Sequence, residues 1–145
     1  MRLTRYSDYA LRLLMYVAIQ DEKFTTIAEV SKAYGISKNH LMKIVQQLAL
    51  AGILETVRGR NGGLRLAQPA RTIVIGAVVR STEAGSNLVE CFEPATNRCV
   101  VTRACRLKHM LQQAQNDFFS RLDQFTLADL VAEPRPLLRL LQAAP

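Results

Sequence analysis

Ser37-Lys38-Asn39-His40-Leu41-Met42-Lys43-Ile44-Val45-Gln46-Gln47-Leu48-Ala49-Leu50-Ala51-Gly52, followed at once by Ile53-Leu54-Glu55-Thr56-Val57-Arg58-Gly59-Arg60-Asn61-Gly62-Gly63-Leu64-Arg65-Leu66, is the stretch on which the fold turns. In its first half Leu41, Ile44, Val45 and Leu48 recur at helical spacing, which predicts a helix with one buried face. Ser37 suits the N-cap, where a hydroxyl accepts from a first-turn backbone donor, and Gly52 suits the stop. Beyond Gly52 the pattern becomes strand-like on both sides of Gly59-Arg60-Asn61-Gly62-Gly63. Asn-Gly between two apolar-bearing runs signals a hairpin, because both turn residues must tolerate positive φ. Pro69 ends it.

Upstream, Thr26-Ile27-Ala28-Glu29 is a capping-box pattern that opens a short helix stopped by Gly35. A first helix is predicted over about Ser7 to Ile19, with Ala10, Leu13, Leu14, Val17 and Ala18 on one face. Two helices about a glycine turn outline a helix-turn-helix, and the hairpin directly behind the second is a wing. Downstream, residues 73–83 read as a short helix and the span from Gly85 to Val101 as a loop. A long helix follows from Thr102, with Leu107, Leu111, Ala114, Phe118, Leu122 and Phe125 in a stripe. Thr126-Leu127-Ala128-Asp129 opens a last short helix that Pro134 and Pro136 stop. The expected fold is mainly α with a small β-hairpin wing: a winged helix-turn-helix over residues 1–82, a cysteine-bearing loop over 83–105, and a long dimerisation helix with a C-terminal helix over 106–145. The stripe is more apolar than a monomer leaves to water, so a homodimer is expected. Packing of the stripe on the chain's own N-terminal domain is the alternative.

Hydrophobic residues make up 49% of the 145 and charged residues 21%, an ordinary globular balance that argues against disorder. No apolar run approaches the ~20 residues that span a bilayer, and Asp8 interrupts the N-terminus before any signal-peptide core, so the expectation is a cytoplasmic protein with no membrane partner. Nineteen Lys and Arg against twelve Asp and Glu give a net charge of +7. Residues 1–70 hold ten bases and five acids (+5), and residues 71–145 nine and seven (+2). A basic N-terminal half suits a polyanionic partner such as nucleic acid.

With its apolar face buried, the helix after Ser37 turns Lys38, Asn39, His40, Lys43, Gln46 and Gln47 outward. Asn and Gln can pair bidentately with adenine, and Lys with guanine or phosphate. A solvated polar face is the bland alternative. The wing tips the balance, because Arg58, Arg60, Asn61 and Arg65 are interleaved with glycines that let the backbone approach a groove. The candidate DNA-binding set is Ser37, Lys38, Asn39, His40, Lys43, Arg58, Arg60, Asn61 and Arg65. Neither His40 nor His109 has a nucleophile arrangement around it, and no phosphate-cradling glycine motif occurs, so an enzyme is not expected.

Three cysteines, Cys91, Cys99 and Cys105, fall within fifteen residues. An odd, clustered set is a poor disulfide framework and a fair ligand set. Their spacing lacks the paired knuckles of a zinc ribbon. Cys105 is expected in the first turn of the long helix, where the dipole and the nearby Arg98, Arg103, Arg106 and Lys108 favour a thiolate. Thiolates bind iron–sulfur clusters and zinc alike. His109 could complete a three-cysteine zinc site, and a carboxylate could complete an iron–sulfur site. Buried structural cysteines and a metal-free thiol switch are the remaining alternatives.

The chain resembles the NsrR/IscR group of winged-helix iron–sulfur regulators over nearly its whole length. The resemblance is carried by Met1-Arg2-Leu3-Thr4 with Ser7-Asp8-Tyr9-Ala10-Leu11-Arg12, and by Tyr34-Gly35-Ile36-Ser37-Lys38-Asn39-His40-Leu41. It continues in Val57-Arg58-Gly59-Arg60-Asn61-Gly62-Gly63-Leu64-Arg65-Leu66, Ala104-Cys105-Arg106-Leu107-Lys108 and Thr126-Leu127-Ala128-Asp129-Leu130-Val131. It implies a homodimer with one iron–sulfur cluster per subunit, 2Fe–2S or 4Fe–4S, on Cys91, Cys99 and Cys105. In some members Asp8 of the partner chain is the fourth ligand; on a local argument Asp8 is an acid favoured by the first turn's dipole. The implied function is a repressor that releases operator DNA when nitric oxide reacts with the cluster. Alternatives are a regulator that reads iron–sulfur or redox status, and a zinc-stabilised DNA-binding module without sensing. The interval between Cys91 and Cys99 is longer than the group's usual spacing and contains Pro94.

Overall fold

The computed structural model describes residues 2–20, 23–59, 62–85 and 87–143. Among these residues seven α-helices and one two-stranded sheet follow the order α1 (Arg5–Ile19), α2 (Ile27–Tyr34), α3 (Lys38–Leu50), β1 (Leu54–Val57), β2 (Gly63–Leu66), α4 (Ile75–Thr82), α5 (Arg106–Leu122), α6 (Leu127–Leu130) and α7 (Pro134–Gln142). This is the winged helix-turn-helix with a long helix behind it.

α1 begins at Arg5, ahead of Ser7, because Thr4 is the residue that caps it: its hydroxyl accepts from the Ser7 N–H. The Thr26–Glu29 capping box forms as expected, and α2 ends on Gly35 in the left-handed region (φ 64°), where a side chain would be strained. Ser37 caps α3 by accepting from the His40 N–H at 3.3 Å. The hairpin pairs Leu54 with Leu66, Glu55 with Arg65, Thr56 with Leu64 and Val57 with Gly63. Thr25, just before α2, exchanges both backbone bonds with Leu64, at 2.9 and 2.8 Å, and so ties the wing to the helices.

The core is a single apolar cluster. α1 contributes Ala10, Leu13, Leu14 and Val17, α3 contributes Leu41, Ile44, Val45 and Leu48, and α4 contributes Ile75, Val78 and Val79. Leu54 and Leu64 close it under the wing, and Leu127 of α6 is fully buried in it. Segment 73–75 stitches to 125–127 as a short antiparallel bridge, with Leu127 donating to Ile73 at 2.8 Å and Ile75 donating to Phe125 at 2.9 Å. The chain therefore returns to the winged core after the long helix.

Further boundaries differ from expectation beyond that of α1. The long helix starts at Arg106 instead of Thr102. Residues Thr102–Ala104 form only a 3₁₀ turn, and the Thr102 hydroxyl is engaged by the Cys99 carbonyl (2.8 Å), competing with helix propagation. Cys105 is extended (φ −83°, ψ 107°) and caps the helix from outside, so it is not in the first turn. Phe125 correspondingly lies past the helix end. Pro134 and Pro136 do not stop a helix; they start one, α7. Proline lacks a donor that the first helical turn does not need, and its fixed φ suits that turn. Among the described residues no helix is long and apolar enough to cross a membrane.

Candidate functional site

α3 and the wing form two walls of an open groove of about 930 Å³, lined in part by Asn39, Met42, Lys43, Gln46, Thr56 and Arg58. The helical period that buries Leu41, Ile44, Val45 and Leu48 leaves Ser37, Lys38, Asn39, His40, Lys43, Gln46 and Gln47 exposed on the opposite side. The first turn of α3 carries Lys38 and no acid, so its positive end is reinforced and not neutralised. The His40 ring lies beside that of Tyr9 on α1, with centroids 6.1 Å apart and planes tilted by 47°. Sequence periodicity alone does not find Met42, Thr56 or Tyr9 at this site, because it assigns faces of single helices and not which elements adjoin.

The predicted wing residues separate. Arg58 is exposed at the end of β1. Arg60 and Asn61 lie outside the described residues. Arg65 stands in mid-strand opposite Glu55, which it contacts through Nε (3.0 Å) and Nη2 (3.0 Å), and its guanidinium stacks over Phe24 at 5.1 Å. The hairpin thus carries an acid, and Arg65 is held against it and not at the tip.

Cys91 sits in a 3₁₀ turn, Glu90–Phe92, and Cys99 in an irregular stretch where its N–H donates to Asn97 Oδ1 at 3.0 Å. The Cys105 Sγ accepts from the Lys108 N–H at 3.4 Å as the N-cap of α5. All three thiols are free and half-buried. Among the described residues no group of three or more His, Cys, Asp and Glu is gathered closely enough to hold a metal. His109 is exposed. The donor chemistry fits a thiolate-bound cluster: three unpaired thiols on one segment whose described residues carry two 3₁₀ turns between α4 and α5, with arginines at 98, 103 and 106. Asp8, in the first turn of α1, is bound on both carboxylate oxygens by Arg12, at 2.9 Å each.

Residues 3–133 match the family model described as Rrf2, iron-dependent transcriptional regulator. The chain belongs to the Rrf2 family. Like the family, it is a transcriptional regulator that acts on DNA, and it is not an enzyme. It is 48% identical to the HTH-type transcriptional regulator NsrR of Geobacillus kaustophilus, over 98% of this chain and 97% of that protein. It is 45% identical to the NsrR of Halalkalibacterium halodurans over the full length of both. Among solved structures, IscR of T. potens superposes with a TM-score of 0.72 at 21% identity, covering 92% of this chain and 88% of that one.

In this Rrf2 chain the stripe of the long helix divides. Phe118, Phe119 and Leu122 pack on the winged core. Leu107 and Met110 stay 60% and 64% exposed, as do Val101 (57%) and Val100 (96%) between Cys99 and Cys105. Leu111 is half-buried and Ala114 exposed.

Proposed function

We propose that this Rrf2 chain is a homodimeric repressor whose iron–sulfur cluster, one per subunit, senses nitric oxide and whose DNA affinity falls when the cluster reacts. The observation that carries the reading is the trio of free, half-buried cysteines on one segment, in a chain 48% identical to a regulator named NsrR. In this reading residues 1–82 bind DNA, 83–105 hold the cluster, and 106–145 supply the dimer helix and the C-terminal helix. When bound, the cluster supplies an iron centre reactive toward nitric oxide.

The remaining steps belong to the chain's own residues. Cys91, Cys99 and Cys105 supply three thiolates. Asp8 of the partner subunit supplies a carboxylate, a harder and more exchangeable ligand, and it must leave Arg12 to do so. Ser37, Lys38, Asn39, His40 and Lys43 face the major groove, where those near the helix start reach base edges. Arg58, Arg60 and Asn61 contact phosphates or a minor groove, while Arg65 is anchored on Glu55. A second reading, in which cluster occupancy itself is the signal, draws support from the family's description as iron-dependent.

Anaerobic visible absorption of the purified protein, before and after nitric oxide, tests the reading. A coloured protein whose spectrum changes with nitric oxide and whose operator affinity then drops supports it. Cys99→Ala should lose the colour, and Asp8→Ala should keep it with an altered spectrum and a changed nitric-oxide rate. A colourless, zinc-loaded protein refutes it, and loss of DNA binding on cluster removal without response to nitric oxide favours the second reading.

A further inference from the structure

Two long-range polar ties meet at the last turn of α4. On one side Arg80 grips both carboxylate oxygens of Asp123 at the end of α5 and lies over the Phe119 ring, 4.9 Å from its centre. On the other side Glu83, the C-cap of α4, reaches the start of α1. Its Oε1 accepts from the Thr4 N–H at 2.8 Å, from the Thr4 hydroxyl at 2.9 Å, and from the Ser7 hydroxyl. Those partners are 76 to 79 residues away in sequence.

Three donors on one charged oxygen make a strong, charge-assisted contact. Ser7 is fully buried, so if Glu83 leaves, its hydroxyl keeps only Thr4 Oγ1, at 3.1 Å. Breaking the contact therefore exchanges a charge-assisted bond for a longer, neutral one. What lies on each side of it gives it a function. The chain after Glu83 leads directly into the cysteine segment. The helix it holds, α1, packs on α3 and sets Tyr9 beside His40.

We propose that Glu83 is the positioning residue that couples the cysteine segment to the recognition helix. A change that draws that segment together pulls on Glu83, shifts the first turn of α1, and so moves α3 relative to DNA. The inference rests on reading the cysteine segment as the sensing element, and it adds which side chain carries the coupling.

Linkage is reciprocal: if the segment biases DNA binding, DNA must bias the segment. The test therefore uses the full chain, reduced and metal-free. The alkylation rates of Cys91, Cys99 and Cys105 by iodoacetamide are measured by mass spectrometry, with and without a duplex that the wild-type protein selects from a random-sequence pool. In the wild type the duplex should change these rates by about fivefold or more, the lower end of ordinary allosteric coupling. In Glu83→Ala the rates should become independent of DNA while the protein still binds the duplex. Glu83→Gln keeps the acceptor without the charge and should restore part of the ratio. Mere loosening would speed alkylation equally with and without DNA and leave the ratio in place. Should Glu83→Ala fail to fold, Ser7→Ala, which removes one donor, must lower the ratio instead. A wild-type ratio of one, or an unchanged ratio in the variants, overturns the proposal. Because no metal enters the assay, a colourless wild-type protein sinks the iron–sulfur reading and leaves this result standing.

Discussion

Arg58 and Arg65 are two arginines of one hairpin, alike by residue type, and the pairing register separates them. Arg65 falls opposite Glu55, and Arg58 falls past the last paired residue. An exposed ion pair stabilises by only about 0.2–1 kcal/mol, so Arg65→Ala should soften the wing slightly and leave sequence preference unchanged. Arg58→Ala should instead weaken binding evenly across sequences and lower the salt slope of affinity by about one, the signature of a lost phosphate contact. Asn39→Ala and His40→Ala should shift the preferred sequence, each good base contact contributing about 1–3 kcal/mol. Binding titrations on a set of point-substituted duplexes at several salt concentrations separate these outcomes. Equal losses on every duplex for Asn39→Ala would place it on the backbone and not on a base. The polar residues on the exposed face of α3 were legible in the sequence because helical period determines which side chains point outward. The pairing of Arg65 was not, because it depends on the hairpin's register.

At the scale of elements, the joint between α4 and α5 depends on a missing side chain. A Cβ on Gly76 would come within 2.0 Å of Asp123 Oδ1 and 3.0 Å of the Asp123 backbone nitrogen. Arg80 holds that carboxylate in place, and its hydrogen bond keeps the Asp123 carboxyl below the usual range. By helix propensity alone, Gly76→Ala would stabilise α4. Contact should win, and the variant should lose about 1–3 kcal/mol, the ordinary cost of forcing extra volume into a packed site. Thermal unfolding measures this, and combining Gly76→Ala with Asp123→Ala should recover part of the loss. An alanine variant as stable as wild type would show that α5 can back away freely. Gly76 reads from sequence as a weak point in a helix. Its purpose lies in an approach between segments separated by the whole cysteine loop.

For the molecule as a whole, the long helix divides between two tasks. Its C-terminal half packs on the winged core, and its N-terminal half, with Leu107 and Met110, faces outward. Leu107→Glu costs the single chain little, since this side chain is already 60% exposed. It places charge in the seam of the proposed dimer and should yield monomers by sedimentation velocity, with far-UV circular dichroism unchanged. A variant that remains dimeric puts the interface elsewhere.

The sequence by itself determined the two helices of the helix-turn-helix with their caps at Thr26 and Ser37, and the wing, because each rests on contacts within a few residues: Ser37 with His40, Thr26 with Glu29, Leu41 with Ile44 and Val45. Only the tertiary structure decided that Leu127 returns to the winged core, that Arg80 clamps Asp123, and that Glu83 holds Thr4 and Ser7. These pairs are brought together by the burial of one shared apolar cluster, and no local pattern records which polar groups will be neighbours once it has formed.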